Sequence, residues 1–396
     1  MKKESTLMVI LLFLSVTIIS ISQPLNAETK TITVPDDYST IKDAISNAND
    51  GDTIFIREGT YQENNTVISK ALKIIGEDKE TTIIRGQSSS FILKVNHNQV
   101  TISGLTLIAG NTPKPIVEAH QYDKEIVGIQ IERVLDCNIT GNKIINSGTA
   151  IWVDYSNNTN IQDNSIWDNY YGIDIVGGSF GTTIKQNDIS SSEVGIRFSG
   201  RMVNTIVSAN NITSATLGFF YYFTSNNFVV GNYIAYNLEA TYFISSYANV
   251  LHHNNFVHNS KETSEGSAHY DYIMIRQSIN FWDDKKEGNY WTNYTGTGSE
   301  PYIINVFNKD NYPLPNPVNI EEYLSYSSTE LPYPAPTTPA LTNTPTATNY
   351  PSPTVPELSF IIIPIFLAVT LCLVVMVKNN KRLTSKQSFP LKFLAS

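Results

Sequence analysis

Residues 141–153 read GNKIINSGTAIWV, residues 163–175 DNSIWDNYYGIDI, residues 186–198 QNDISSSEVGIRF and residues 209–221 ANNITSATLGFFY. Aligned this way, an asparagine fills the second column and a glycine or alanine the tenth. The asparagine column runs through Asn142, Asn164, Asn187, Asn210, Asn232 and Asn254, at spacings of 22, 23, 23, 22 and 22. The small-residue column keeps step through Gly128, Ala150, Gly172, Gly195, Gly218 and Ala240, at spacings of 22, 22, 23, 23 and 22. Two periods locked together mark a repeated structural unit.

After each small residue the chain alternates with period two. The first and third positions are Ile129/Ile131, Ile151/Val153, Ile173/Ile175, Ile196/Phe198, Phe219/Tyr221 and Thr241/Phe243. That is the pattern of a strand with one buried face. Helical solenoids would need i, i+3, i+4 spacing, and a leucine-rich repeat its Leu/Asn frame; neither is present. The pattern predicts an all-β chain, a parallel β-helix with coils of about 22 residues. The repeated asparagines are expected to take the left-handed conformation of a sharp turn and to hydrogen-bond from coil to coil as a ladder. Their role is structural.

A stacked coil exposes core and strand edges at its two ends, which need covering. Ser39 is the expected N-cap of a short helix with Ile41, Ala44, Ile45 and Ala48 on one face, a plug for the N-terminal end. Gly51 to Tyr61 reads as the first strand, followed by Leu72 to Ile75, Thr82 to Ile84, Phe91 to Val95 and Val100 to Leu107. At the other end Asn280 and Trp282 are expected to continue the asparagine column, and Tyr290 to Pro315 to close the stack. The expected β-helix domain is 28–318, with regular coils over about 128–282 and a C-terminal cap over 283–318.

Outside that domain, Lys2, Lys3 and the apolar run Leu7 to Ile21 have the layout of a secretory leader, 1–27, with cleavage after Ala27. Leu358 to Val377 is an uncharged apolar run of 20 residues, long enough to span a bilayer. Lys378, Lys381, Arg382 and Lys386 follow in the tail 378–396, which the positive-inside rule places in the cytoplasm. A cleavable sorting signal shares these features. Between domain and run, 319–357 is expected as a stalk, since Leu331 to Pro356 holds eight prolines and seven threonines in 26 residues. The ectodomain would then be extracellular on a single-pass anchor. Cys137 and Cys372 are the only cysteines, and the second lies in the apolar run, so no intradomain disulfide is expected. A net charge of −9 with basic residues gathered at the termini argues against nucleic acid as a partner.

The opening VPDDYSTIKDAISNANDGDTIFIREGTYQEN, the GNxI coils, and the closing FWDDKKEGNYWTNYTG with DNYPLP resemble the NosD-like right-handed β-helix proteins. These are a branch of the pectin-lyase-like fold also described as carbohydrate-binding and sugar-hydrolysis repeats. The resemblance covers roughly Thr31 to Pro315. It implies a periplasmic or cell-surface location and, for the founding member, a part in supplying copper to nitrous oxide reductase. Membrane-tethered relatives with a Pro/Thr stalk resemble archaeal surface proteins. The Asp/Gly-rich run that such proteins carry after the NYW phrase is here only Thr295 to Glu300.

The second position after each small residue is expected to face solvent, in a column of Gln130, Trp152, Asp174, Arg197, Phe220 and Tyr242. The fourth gives Glu132, Asp154, Val176, Ser199, Tyr222 and Ile244. Aromatic rings beside carboxylates and a guanidinium suit a sugar chain, the rings meeting its apolar faces and the polar groups its hydroxyls. Gln130, Trp152, Asp174, Arg197, Phe220, Tyr222 and Tyr242 are therefore the candidate ligand-binding residues, and carbohydrate or envelope components the expected partners. Glu132, Asp154 and Asp174 are the catalytic candidates, since in-register carboxylates fall near the spacing of a retaining glycosidase pair. A polysaccharide hydrolase or lyase, a structural envelope or adhesion protein and a copper-related accessory protein are the rival readings. His252, His253 and His258 come nearest to a metal cluster, with His269 beyond. Alternation along a strand would point His252 and His253 to opposite faces, so no metal site and no cofactor is expected. Sequons stand at Asn64, Asn138, Asn157, Asn211 and Asn293.

Overall fold

The computed structural model describes residues 28–87, 90–110, 126–265 and 278–327, with the single positions 329 and 332. The expected leader 1–27, the apolar run 358–377, the expected tail 378–396, His269 and nearly all of 328–357 lie outside the described residues. No helix among the described residues is long and apolar enough to cross a membrane.

The alternating segments form short strands that wind into a parallel β-solenoid of the right-handed type. Among the described residues three parallel sheets of ten, nine and ten strands run its length. Sheet A holds the strands from Thr31–Val34 to Val250–His252, sheet B those from Gly59–Gln62 to Tyr290–Trp291, and sheet C those from Thr66–Ile68 to Lys261–Glu265. Equivalent side chains pile up in register. Ile129, Ile151, Ile173, Ile196 and Phe219 stack on sheet C, Ile139, Ile161, Ile184, Val207, Val229 and Leu251 on sheet A. Ile144, Ile166, Ile189, Ile212, Ile234, Phe256 and Trp291 do so on sheet B. All are buried in one continuous core, and each such side chain contributes roughly 1.5–3 kcal/mol relative to exposure. The small-residue column follows from close approach of coils. A Cβ at Gly172, Gly195 or Gly218 would come within 2.5, 2.6 or 2.7 Å of the next coil's carbonyl oxygen.

The asparagine ladder forms, and its turn chemistry differs from expectation. The left-handed residue is the one before each ladder position: Gly141, Asp163, Gln186, Ala209, Gly231 and His253. The asparagine itself is buried, and both its backbone N–H and its Nδ2 donate to the Oδ1 of the next rung. For Asn187 to Asn210 both distances are 2.9 Å; for Asn232 to Asn254 they are 3.0 and 2.9 Å. The next rung is Asn289, not Asn280, with Asn254 N and Nδ2 at 3.0 and 2.9 Å from its Oδ1. Asn280 instead extends a second ladder that runs Asn227, Asn249, Asn280 and Asn308. Two columns share the same residue type, and a single-column reading of the sequence merged them.

At the N-terminal end a strand, Thr31–Val34, precedes the one read as first and pairs with Thr53–Ile56. Helix α1, Ile41–Asn47, follows it and buries Ile41, Ala44 and Ile45. Its N-cap is Thr40 rather than Ser39, with the Thr40 Oγ1 accepting from Asp43 N at 3.1 Å. Glu63, buried, also accepts from Ile41 N at 2.9 Å. Ile320–Tyr323, expected as the start of the stalk, forms a 3-10 turn, and Tyr323 and Tyr326 pack on Phe228, Val230 and Val250 of sheet A.

At the C-terminal end the ladder terminates on Asp310. Its Oδ2 accepts from Asn289 N at 2.6 Å and Trp291 Nε1 at 2.9 Å, and its Oδ1 from Tyr312 N at 3.0 Å. Burial pushes this carboxyl up to about 6, against the pull of those donors. Glu262 is pushed up to about 7 by burial, against the donor Asn259. A carboxyl held above its unfolded value stabilises the fold below that unfolded value and loses the contribution as pH rises through the folded one. These two carboxyls therefore withdraw stability between about pH 4 and 7, with about 3 kcal/mol of that contribution traceable to Asp310, while buried His252, lowered to about 4, acts in the opposite sense. Denaturant unfolding at pH 4.5 and 7.5 measures this, and Asp310→Asn should flatten the difference; an unchanged slope in the variant would refute the assignment.

Candidate ligand-binding face and metal cluster

The outer face of sheet C divides into two halves. Over the first coils it is locked by charge. Lys94 Nζ lies 2.5 Å from Glu132 Oε2, and Gln130 Nε2 donates to the same oxygen at 3.2 Å. Lys94 holds the Glu132 carboxyl below its usual range, against the effect of burial. Asp154, in register with Glu132 on the next coil, is raised by burial and then by the Glu132 charge. It fits because Gly177 lies opposite; a Cβ there would come 2.0 Å from Asp154 Oδ1.

Asp174 does not face solvent as expected. Arg197 covers it with a two-pronged pair, Nε to Oδ1 at 2.7 Å and Nη2 to Oδ2 at 2.5 Å, leaving the carboxylate side chain 3% exposed and the guanidinium 12%. The guanidinium also stacks on Tyr171, 4.0 Å from the ring centroid. Burial raises the Asp174 carboxyl, against the pull of Arg197. Gln130 is likewise buried. Both side chains are packed into the wall rather than presented to solvent.

Over the last coils the face is aromatic. Phe220, Tyr222 and Tyr242 are half-buried and form a tilted patch, with Phe220 centred 5.5 Å from Tyr242 and 6.2 Å from Tyr222. Trp152 is half-buried two coils before Arg197. Immediately before the sheet C strands, a groove of about 520 Å³ crosses successive coils, lined by Tyr170, Glu193, Thr216, Tyr236 and Leu238 among others. Glu193 accepts from Thr216 Oγ1 there at 3.0 Å. Sequence reading missed this groove because its residues sit in turns outside the alternating columns.

The histidines depart most from expectation. His252 ends a strand of sheet A, but His253 has φ +55°, which breaks the alternation and turns both imidazoles to one side. Their Nδ1 atoms lie 2.5 Å apart, and both rings are buried. With a carboxylate oxygen of Asp284 the three ligand atoms fall within 4.8 Å of one another. His258 stands apart, exposed and stacked on Tyr236. Of the sequons, Asn293 is exposed, whereas Asn64, Asn138, Asn157 and Asn211 are half-buried. Asn157 Oδ1 accepts from Phe180 N, and Asn211 Nδ2 donates to Asp188.

The family model of NosD, described as a periplasmic copper-binding protein, matches residues 45–207 and 101–296 in two overlapping passes. The chain belongs to the NosD family. No curated protein matches it. Similar solved structures include the Yersinia enterocolitica family 28 exopolygalacturonase, at 11% identity and TM-score 0.53, covering 68% of this chain and 67% of that one. Another is the A-module of the Azotobacter vinelandii mannuronan C-5 epimerase AlgE6, at 14% identity and TM-score 0.48, covering 63% and 80%. At such identities the likeness is one of fold. Copper is the metal that the NosD description implies. Cys137 and Met202, the sulfur residues among those described, are buried in the hydrophobic core. The imidazole and carboxylate donors of His252, His253 and Asp284 fit copper(II) or zinc, not the thiolate or thioether chemistry that selects copper(I).

Proposed function

We propose that this NosD-family chain is a cell-surface protein, anchored through Leu358 to Val377, that binds extracellular or envelope carbohydrate along the outer wall of its solenoid. The observation that carries the reading is the half-exposed ring patch of Phe220, Tyr222 and Tyr242 on sheet C. Beside it Arg197 is held rigid by Asp174. Coils rise by about 4.8 Å, so a linear polysaccharide laid along the axis meets a ring or a polar group at each step. Fixed aromatic side chains lose little conformational entropy on binding. The groove at Tyr170, Glu193 and Thr216 extends the same polar and aromatic character next to the sheet.

The purified full chain on a glycan array is expected to bind acidic or neutral polysaccharide. Tyr242→Ala and Phe220→Ala should each weaken that binding about tenfold, roughly the 1.4 kcal/mol of one lost ring contact. Trp152→Ala is expected to act in the same direction. No binding by the parent chain, or equal binding by all variants, would end this reading. Hydrolysis is the second reading, favoured by Glu132 held low and Asp154 held high on neighbouring coils. Reducing sugar released by the parent chain and abolished in Asp154→Asn would establish it instead.

A further inference from the structure

We propose that His252, His253 and Asp284 form a binding site for one divalent transition cation of the zinc and copper(II) class, a clasp between the last regular coil and the closing segment. The site is built from both sides. His252 ends the sheet A strand of that coil and His253 opens the turn after it, while Asp284 lies in the turn that leads to the final ladder rung, Asn289.

The imidazoles are oriented from behind. His253 Nε2 lies 2.9 Å from Glu287 Oε2, and His252 Nε2 lies 3.4 Å from the Tyr326 hydroxyl. A carboxylate accepts only, so His253 carries its proton on Nε2 and turns a lone pair at Nδ1 toward its neighbour. The two Nδ1 atoms lie 2.5 Å apart in a buried place, so without an ion His252 Nδ1–H donates to the His253 lone pair. A cation there takes the place of that proton, which moves to His252 Nε2 facing the Tyr326 hydroxyl. On a tetrahedral ion two imidazole nitrogens stand about 3.3 Å apart, so uptake opens the pair by roughly 0.8 Å.

The carboxylate is positioned as well. Asp284 Oδ1 accepts from Lys286 N at 2.9 Å and Glu287 N at 2.8 Å, which fixes the group in its turn. Tyr323, centred 5.2 Å from the His253 ring, and Tyr326, 5.7 Å from that of His252, wall the site. Two imidazoles and one carboxylate match zinc or copper(II), and they leave one coordination position for water or an external donor.

The purified full chain, stripped with EDTA and dialysed, is titrated separately with zinc chloride and copper(II) sulfate by calorimetry. One ion per chain is expected, together with a copper(II) electron paramagnetic resonance spectrum showing coupling to two imidazole nitrogens. Saturation is expected to raise the unfolding midpoint. His253→Asn, whose side chain tolerates the left-handed backbone, and Asp284→Asn should each weaken binding at least tenfold. Glu287→Gln, which touches only the back of the ring, should weaken it about tenfold, and His97→Ala not at all. Circular dichroism confirms that each variant is folded. Tighter uptake of one metal than the other tells which ion the site selects. Absence of one-to-one binding of either ion in the parent chain, retention of affinity in folded His253→Asn and Asp284→Asn, or a copper spectrum without imidazole nitrogen would overturn the proposal.

Discussion

Asn210→Ala is expected to lower the stability of the solenoid by about 3–5 kcal/mol, although the change removes only a small amide. Asn210 Oδ1 accepts both the backbone N–H and the Nδ2 of Asn187 at 2.9 Å. Its own Nδ2 donates to Ile184 O at 2.9 Å, Ser208 O at 3.1 Å and Asn232 Oδ1 at 2.9 Å. All of this is sealed from water, with Asn187, Asn210 and Asn232 each at most 1% exposed. Alanine leaves the Asn187 N–H and the Ile184 carbonyl short of a partner, and a buried polar group in that state costs roughly 1–3 kcal/mol. A small cavity adds to the loss. The exposed Asn96, changed to alanine, is the control and should fall within about 0.5 kcal/mol of the parent. Urea denaturation followed by far-ultraviolet circular dichroism measures both, and equal effects at the two positions would remove the ladder from the account of stability.

Arg197→Met has a comparable expected cost, about 3–5 kcal/mol, because it strands the Asp174 carboxylate in a buried position. The sign with pH is informative. Burial already raises the Asp174 carboxyl, and without the guanidinium the folded state favours its protonated form further. A carboxyl raised in the folded state keeps its full contribution below the unfolded value and loses it as pH rises. The deficit of Arg197→Met should therefore be smaller at pH 4.5 than at pH 8. Replacing both partners, Asp174→Leu with Arg197→Met, should recover most of the loss, since a buried pair is often no more stable than apolar groups of similar volume. A double variant as unstable as the single one would mean that the cost lies in packing against Tyr171 rather than in the stranded charge.

Much of this architecture was legible because the middle coils repeat at 22 or 23 positions, so a column of asparagines or isoleucines shows in the plain sequence. The early coils were harder to read. Thr31, Thr53, Lys73 and Thr101 share a register at separations of 22, 20 and 28, and Asn138 follows 37 positions later. Loops of unequal length hide the period while leaving the stack intact. The candidate wall was half legible for a different reason. Alternation says which side chains point outward, but not that Arg197 would fold down on Asp174, since an ion pair between neighbouring coils leaves no trace in one strand's pattern. The histidine cluster was misread because alternation was carried one residue too far. The same left-handed step that sets every ladder turn falls on His253, and only its place in the column, directly before Asn254, could have signalled it.

The asparagine column also gives the molecule an electrical direction. Every rung from Asn142 to Asn254 turns its backbone N–H and one Nδ2–H toward the C-terminal end and its Oδ1 toward the N-terminal end, while the other Nδ2–H reaches back to a carbonyl of the preceding coil. The amide dipoles therefore add along the long axis, as peptide dipoles do in a helix, and their positive end arrives at Asn289. There Asp310 Oδ2 receives it. Whole coils can be inserted without disturbing this polarity, but the C-terminal end needs an acceptor of that kind wherever the stack stops.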